Sequence, residues 1–418
     1  MTLIALTFVG VALNLSGYDE PLKIYILAGQ SNMEGHAKVE TFDYIGDDPE
    51  TVGLLKQMRG ADGKPRISDK VWISYLTGSG DRMAASTGRL TVGFGARKDP
   101  ALSGGKIGPE FTFGLFMEKK SQGPILIIKT AWGGKSLHTD FRPPSAGPYQ
   151  FDKAHLDSLK KRGRDVEQFK SDRSKATGRY YRLMIDHVKK VLENLDRVCP
   201  RYQPRQGYEM AGLVWFQGWN DMVDSNTYPN RRDPGGYDLY TELLAHFIRD
   251  VRRDLSVPKM PFVIGVMGVN GLQKEPNYFR LAMAAPASTP EFSDNVVAVQ
   301  TAPYWDKDLA AIIQKRDKVK KIRYFIKKGN VPAKAISKSH PEAYRLRKKY
   351  WDTPSQSRSM TKVDQQAYLQ EYQGKLITSK EEIMLKRGAS NAGYHYLGSA
   401  KTMALIGKAF AEALQGLK

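Results

Sequence analysis

Short apolar runs recur along this chain with amphipathic stretches between them. That alternation limits the folds open to it more than any other feature. The runs at 24–28, 71–76, 125–130, 213–216, 262–267 and 296–301 are rich in Val, Ile and aromatic residues. Several lack any apolar–polar alternation, as strands covered on both faces of a parallel sheet do. Of the intervening stretches, 109–120 opens on Pro109, which suits a helix start. It closes on Lys119 and Lys120, where cations complement the helix dipole. The stretches 180–194 and 237–255 carry apolar residues at i, i+3 and i+4, and 397–417 reads as a closing helix. Together they predict a three-layer α/β/α fold with a doubly wound, mostly parallel sheet.

Two segments exceed a minimal fold of this kind. Residues 142–176 are polar and charged, with prolines near the start; the second segment runs from 306 to 387. The whole chain of 418 residues has 64 Lys and Arg against 44 Asp and Glu, a net charge of +20. Within 306–350 there are 15 Lys or Arg and 4 Asp or Glu, so more than half of the excess sits in one segment. Leu309, Ile312, Ile313, Val319, Ile322 and Ile326 form an apolar stripe there, which predicts basic amphipathic helices packed on the domain. Residues 21–418 therefore read as one domain with insertions at 142–176 and 306–387. A basic insertion without a base-reading module does not predict a nucleic-acid partner. The single cysteine, Cys199, excludes an intramolecular disulfide and a Cys-cluster metal site. No His/carboxylate spacing typical of metal ligands appears either, so neither metal nor cofactor is expected. Residues 3–15, LIALTFVGVALNL, are short for a membrane span but match a signal-peptide core in length, although no Lys or Arg precedes them. Residues 1–20 are read as a signal peptide, with a buried first strand as the alternative. A secreted or periplasmic location follows, with a cytoplasmic one left open, and no stable membrane span is expected.

Four segments carry chemistry. The first is Gly29-Gln30-Ser31-Asn32-Met33-Glu34-Gly35, directly after a buried strand. Ligands bind beyond the carboxyl ends of strands in doubly wound sheets, which puts Ser31 at the mouth of a site. Ser31 is a nucleophile there or an ordinary N-capping serine. The second, Thr130-Ala131-Trp132-Gly133-Gly134, ends another strand, and its glycines bring backbone N–H groups close to a ligand or make a plain turn. The third, Trp215-Phe216-Gln217-Gly218-Trp219-Asn220-Asp221, offers two side-chain amides for a developing negative charge, or simply turn chemistry. The fourth is Ser390-Asn391-Ala392-Gly393-Tyr394-His395-Tyr396, before the final helix, where His395 is a general base or a surface histidine.

These four blocks, in this order, resemble the SGNH (GDSL-like) hydrolases, whose blocks carry Ser, Gly, Asn and His. Gly-Gln-Ser-Asn-Met-Glu-Gly together with Trp-Phe-Gln-Gly looks like the sialate O-acetylesterase-like branch of carbohydrate esterases. The resemblance implies Ser31 as nucleophile and His395 as base. It implies an oxyanion hole from the Ser31 N–H, a glycine N–H (Gly133 before Gly134) and a side-chain amide. Asn220 fits the general block, whereas Gln217 fits the branch motif and is preferred as nearer the strand end. Gln30, Asn32, Glu34 and Gly134 would line the pocket. The expected reaction is hydrolysis of acetyl esters on an oligo- or polysaccharide, an acidic one if the basic insertion borders the site.

The chain departs from the pattern in two places. Trp219 stands where the branch has Glu, and Ala392 stands where the superfamily places the Asp of Asp-x-x-His. Asn391 is then a candidate to orient His395, with Glu34, Asp221 and Asp306 as more remote ones. The missing acid supports an alternative, a weak or inactive polysaccharide-binding protein on the same fold, with Tyr324, Tyr344, Tyr350 and Trp351 stacking on sugars. His36 and His138 are further pocket candidates, while Tyr394 and Tyr396 are expected to pack around His395.

Overall fold

The strand that precedes Ser31 is the middle one of a seven-stranded sheet in a computed structural model, which describes residues 20–80, 83–96, 105–328 and 361–417. The strands are β1 (Leu22–Gly29), β3 (Val71–Thr77), β4 (Ala84–Arg89), β6 (Ile125–Ala131), β7 (Tyr208–Phe216), β8 (Phe262–Val266) and β9 (Val296–Gln300). Their order is β4–β3–β6–β1–β7–β8–β9. All neighbours pair parallel except β3 with β4. The two-residue strands β2 (Ala37–Lys38) and β5 (Lys106–Ile107) form a separate antiparallel pair. All six apolar runs are strands. The sequence pattern missed β4 because Ala-Ala-Ser-Thr-Gly-Arg is a largely exposed edge without an apolar face.

Helices cover both faces. A four-residue turn of helix, α1 (Ser31–Glu34), follows β1 directly. On one side lie α2 (Glu110–Glu118) and α8 (Ala400–Gly416), which place Phe113 5.5 Å from Tyr25 and Phe410 5.3 Å from Phe216, ring centre to ring centre. On the other lie α3 (Arg179–Leu192) and α4 (Asp238–Asp254), with Tyr180 5.0 Å from Trp132 and Phe247 4.3 Å from Trp215. Each such side chain contributes about 1.5–3 kcal/mol by leaving water. The fold is therefore the three-layer, mostly parallel α/β arrangement expected.

Residues 142–176 hold two short helices, Lys153–Lys161 and Val166–Ala176. The described residues of 306–387 include α5 (Lys307–Lys328), α6 (Lys362–Leu376) and α7 (Ser379–Gly388). Leu309, Ile312, Val319, Ile322 and Ile326 are buried. Leu309 packs with Tyr44 and Leu397, and Ile312 with Ile377 and Leu385. The apolar stripe thus seats a basic helix on the domain. No helix among the described residues is long and apolar enough to cross a membrane. The signal-like segment 3–15 and three of the proposed sugar-stacking residues, Tyr344, Tyr350 and Trp351, lie outside the described residues; Tyr324 is exposed on α5.

Candidate active site

Three neighbouring parallel strands, β6, β1 and β7, end on the same edge of the sheet. The chain fills β3 and β6 on one side of β1 before crossing to β7 on the other, so this edge is the topological switch point. β1 leaves the sheet at Gly29, with φ +155°. A Cβ there would sit 2.2 Å from the Phe216 carbonyl oxygen, so only glycine allows β1 and β7 to approach this closely. The next residue fastens the two strand ends together. Gln30 Oε1 accepts the Gly218 N–H at 2.9 Å, and its Nε2 donates to Asn220 Oδ1 at 3.2 Å. Ser31 follows at the start of α1, 8% exposed, where the Ser31, Asn32 and Met33 amides have no intrahelical acceptor and only the Glu34 N–H bonds back, to the Gln30 carbonyl at 2.8 Å. Asn32 is buried, and its Oδ1 has no partner among the described residues.

At the end of β6, a Cβ added to Gly133 would lie 3.8 Å from Ser31 Cβ and 3.2 Å from Glu34 Oε2. Gly134 is a left-handed turn residue with nothing so close, so of the two glycines Gly133 is the one beside Ser31. Its N–H also reaches the Glu34 carboxylate. Burial pushes that carboxyl up in pKa, while Lys129, the Thr77 hydroxyl and this N–H act in the opposite sense.

The two amides of the third block differ sharply. Gln217 Nε2 donates to the Lys135 carbonyl at 3.0 Å and to Asp221 Oδ2 at 2.6 Å, and its Oε1 accepts from Tyr240. Both amide hydrogens are committed, which corrects the preference for Gln217. Asn220 uses only its Oδ1 side, and its Nδ2 has no partner among the described residues. Asp221 is fully buried and also accepts the Leu137 and His138 N–H groups and the Tyr228 hydroxyl. It ties the β6 and β7 exits together. His138 is turned inward: Nε2 lies 3.1 Å from Asp224 Oδ2, and Nδ1 lies 2.8 Å from Thr139 Oγ1. The expectation that it faces a ligand is corrected too.

His395 lies in the 3-10 segment Gly393–Gly398, which packs against α1. Its Nδ1 is 3.0 Å from Asn391 Oδ1, and the same oxygen accepts the Ala392 N–H at 2.7 Å. A backbone N–H is always a donor, so this second bond fixes which end of the amide is oxygen. His395 Nδ1 must then carry the proton, leaving a lone pair on Nε2. None of the remoter acids bonds to this ring. Glu34 is engaged as described, Asp221 at the β6 and β7 exits, and Asp306 with the Tyr44 hydroxyl and the Leu309 N–H. Burial, with Lys106 nearby, pushes the imidazole down to about 4. Ser31 Oγ and His395 are not hydrogen-bonded to each other; the structure brings their segments together without closing that contact.

Three supporting features escaped the sequence reading. Tyr396 and Leu397 both have left-handed backbones, at φ +49° and +62°, a strain of the order of 1–2 kcal/mol each. A buried relay holds them: Gly268 N–H donates to Tyr396 Oη, and Tyr396 Oη to Thr301 Oγ1, both at 2.6 Å. Thr301 Oγ1 then donates to the Val266 carbonyl. Second, Lys129 on β6 is fully buried and donates to Glu110 Oε2 at 2.7 Å and to the Phe94 and Glu34 carbonyls. Third, His36 stacks on His395 with ring centres 3.8 Å apart and planes 3° from parallel. A lysine inside an apolar strand was the one visible trace of the second. No cluster of metal-ligating side chains occurs among the described residues.

A family model described as carbohydrate esterase, sialic acid-specific acetylesterase, matches residues 96–310, just over half of the chain. That span holds Gly133, Gln217 and Asn220 but neither Ser31 nor His395. Among solved structures the chain is similar to a protein from Arabidopsis thaliana, at 15% identity over 67% of this chain and 86% of that one, with a TM-score of 0.35. It is also similar to a carbohydrate acetylesterase from Xanthomonas citri, at 14% identity over 66% of this chain and 49% of that one, with a TM-score of 0.33. No curated protein sequence matches.

Proposed function

The chain belongs to the carbohydrate esterase family of sialic acid-specific acetylesterases, and from that premise we propose that it hydrolyses acetyl esters on a glycan through Ser31 and His395. The observation that carries the reading is the tautomer of His395: Asn391 holds the proton on Nδ1, so Nε2 is free to act as a base beside the segment that bears Ser31. His395 Nε2 takes the Ser31 hydroxyl proton as Oγ attacks the acetyl carbon. The tetrahedral oxyanion forms among the Ser31 N–H, Asn220 Nδ2 and the Gly133 N–H, which turns from the Glu34 carboxylate to reach it. Collapse breaks the ester bond, and the sugar hydroxyl leaves with the proton from the imidazolium. Water, deprotonated by His395, then attacks acetyl-Ser31 and releases acetate. Catalysis asks Ser31 to rotate its side chain toward His395; such bonds often tighten only with substrate bound.

The test is turnover of p-nitrophenyl acetate and of acetylated glycans by the wild type and Ser31→Ala. Loss of turnover in Ser31→Ala is expected, and equal rates would end the reading. The acidic-glycan preference rests on the charge of α5, whose first turn borders the His395 segment through Leu309 and Leu397. It predicts faster hydrolysis of acidic than of neutral acetylated glycans at low salt, with the difference shrinking at high salt. The second reading, a binding protein without chemistry, is favoured by the unclosed Ser31–His395 contact. It predicts glycan retention by both proteins and acetate release by neither.

A further inference from the structure

An imidazole that works as a base has three things to fix: its tautomer, its rotation within the ring plane, and the plane itself. Asn391 fixes the first two through Nδ1. The plane is set by a different residue. The His36 ring lies flat on one side of His395, with centres 3.8 Å apart and an interplanar angle of 3°, while Tyr394 meets the ring nearly edge-on at 4.4 Å. His36 belongs to the segment that leaves α1, so the stack joins the stretch bearing Ser31 to the loop bearing His395. Local backbone brings it there. Gly35 has φ +90°, and a Cβ on it would sit 2.3 Å from Gly108 Cα, so the chain turns tightly across the Gly108 backbone just before His36. Glu34 Oε2 lies 3.9 Å from His36 Nε2.

We infer that His36 is a positioning residue that holds the plane of His395 and thereby the approach of its Nε2 to Ser31. The inference rests on the esterase reading above. The ionisable groups facing the ring pair are Glu34 from α1, Lys106 from β5 and Tyr394 from the His395 loop itself. Lys106 opposes an imidazolium on His395, so alignment by the stack counts for more where no carboxylate stands behind the ring.

The test compares p-nitrophenyl acetate kinetics of the full-length wild type, His36→Ala, His36→Phe and His36→Leu. Misplacing a base by a fraction of its reach lowers kcat by roughly 10- to 100-fold, and this is expected for His36→Ala and His36→Leu with KM little changed. His36→Phe keeps a flat ring and should recover most of the loss. An unchanged kcat in His36→Ala, or a His36→Phe no better than His36→Leu, would overturn the inference, and the leucine variant serves if the alanine variant does not fold. A second readout does not depend on turnover. By NMR, the His395 ring-proton resonances should lose a ring-current shift in His36→Leu and keep one in His36→Phe; resonances unmoved in both would overturn the stack. If Ser31→Ala matches the wild type, the esterase reading falls instead, and the NMR comparison still judges the stack.

Discussion

Asn391 stands behind His395 where a carboxylate would ordinarily orient a catalytic histidine, and it contacts Nδ1 at 3.0 Å with a neutral oxygen. An amide oxygen selects the tautomer but adds no charge to balance an imidazolium. Asn391→Ala should therefore lower kcat, and Asn391→Asp should raise kcat/KM above the wild type near neutral pH. In the serine-protease precedent, the reverse exchange of Asp for Asn costs ~10⁴ in kcat. Steady-state kinetics on p-nitrophenyl acetate decide it. No change in either variant would mean that the ring needs no support at Nδ1.

Asn220 and Gln217 should separate into chemistry and stability. Asn220→Asp removes the uncommitted NH₂ while keeping the oxygen that accepts from Gln30, and is expected to lower kcat by roughly 10²–10³ with little change in the melting temperature. Gln217→Ala takes a donor from the buried Asp221 carboxylate and should cost about 1–3 kcal/mol of stability. Thermal melts run beside the kinetics distinguish them, and a reversed pattern would return the oxyanion role to Gln217.

The base should stay neutral well into the acid range. Burial and Lys106 hold the His395 imidazole at about 4, below its ordinary 6.5, so the acid limb of kcat/KM is expected near pH 4. In Lys106→Ala the opposing cation is gone, and the limb should move upward. A limb near 6.5 in the wild type would contradict the desolvated environment.

His187 gives stability its own pH dependence. It is buried against Ser74 Oγ at 3.1 Å and is pushed to about 4 by burial, with Lys190 adding to the effect. The unfolded chain binds this proton more readily than the folded one. The contribution is therefore intact above pH 6.5 and is lost as pH falls from 6.5 toward 4, up to about 3 kcal/mol. Denaturant midpoints across that window should show a shallower fall in His187→Asn.

The Lys129–Glu110 pair couples stability to the site. Lys129→Met strands a buried carboxylate and should cost about 3–5 kcal/mol. Adding Glu110→Leu should recover much of that in a denaturation curve. It should not restore turnover, because Lys129 also holds the Glu34 carbonyl, three residues after Ser31 at the end of α1. Full recovery of both would confine the lysine to packing.

The parallel strands were legible because burial on both faces leaves apolar runs that show in the residues. The polar edge strand β4 left no such trace. Ser31, Gly133 and His395 could be singled out because each follows a strand or precedes a helix at a recognisable turn. The choice between Gln217 and Asn220 could not be read, since both are amides at a strand end and only their partners differ. The His36 stack was equally hidden: nothing in a linear pattern tells that a glycine turn across Gly108 lays one imidazole on another encoded some 360 residues later.

The pairing of β1's exit with the loop before α8 also has a meaning in time. A ribosome delivers Ser31 with the first strand of the sheet, but His395 and Asn391 emerge only after every other strand has been made. The helix that packs beside α2 follows later still. Through most of translation the growing polypeptide carries Ser31 without the His395 loop, so the proposed Ser31–His395 chemistry is withheld from the nascent chain.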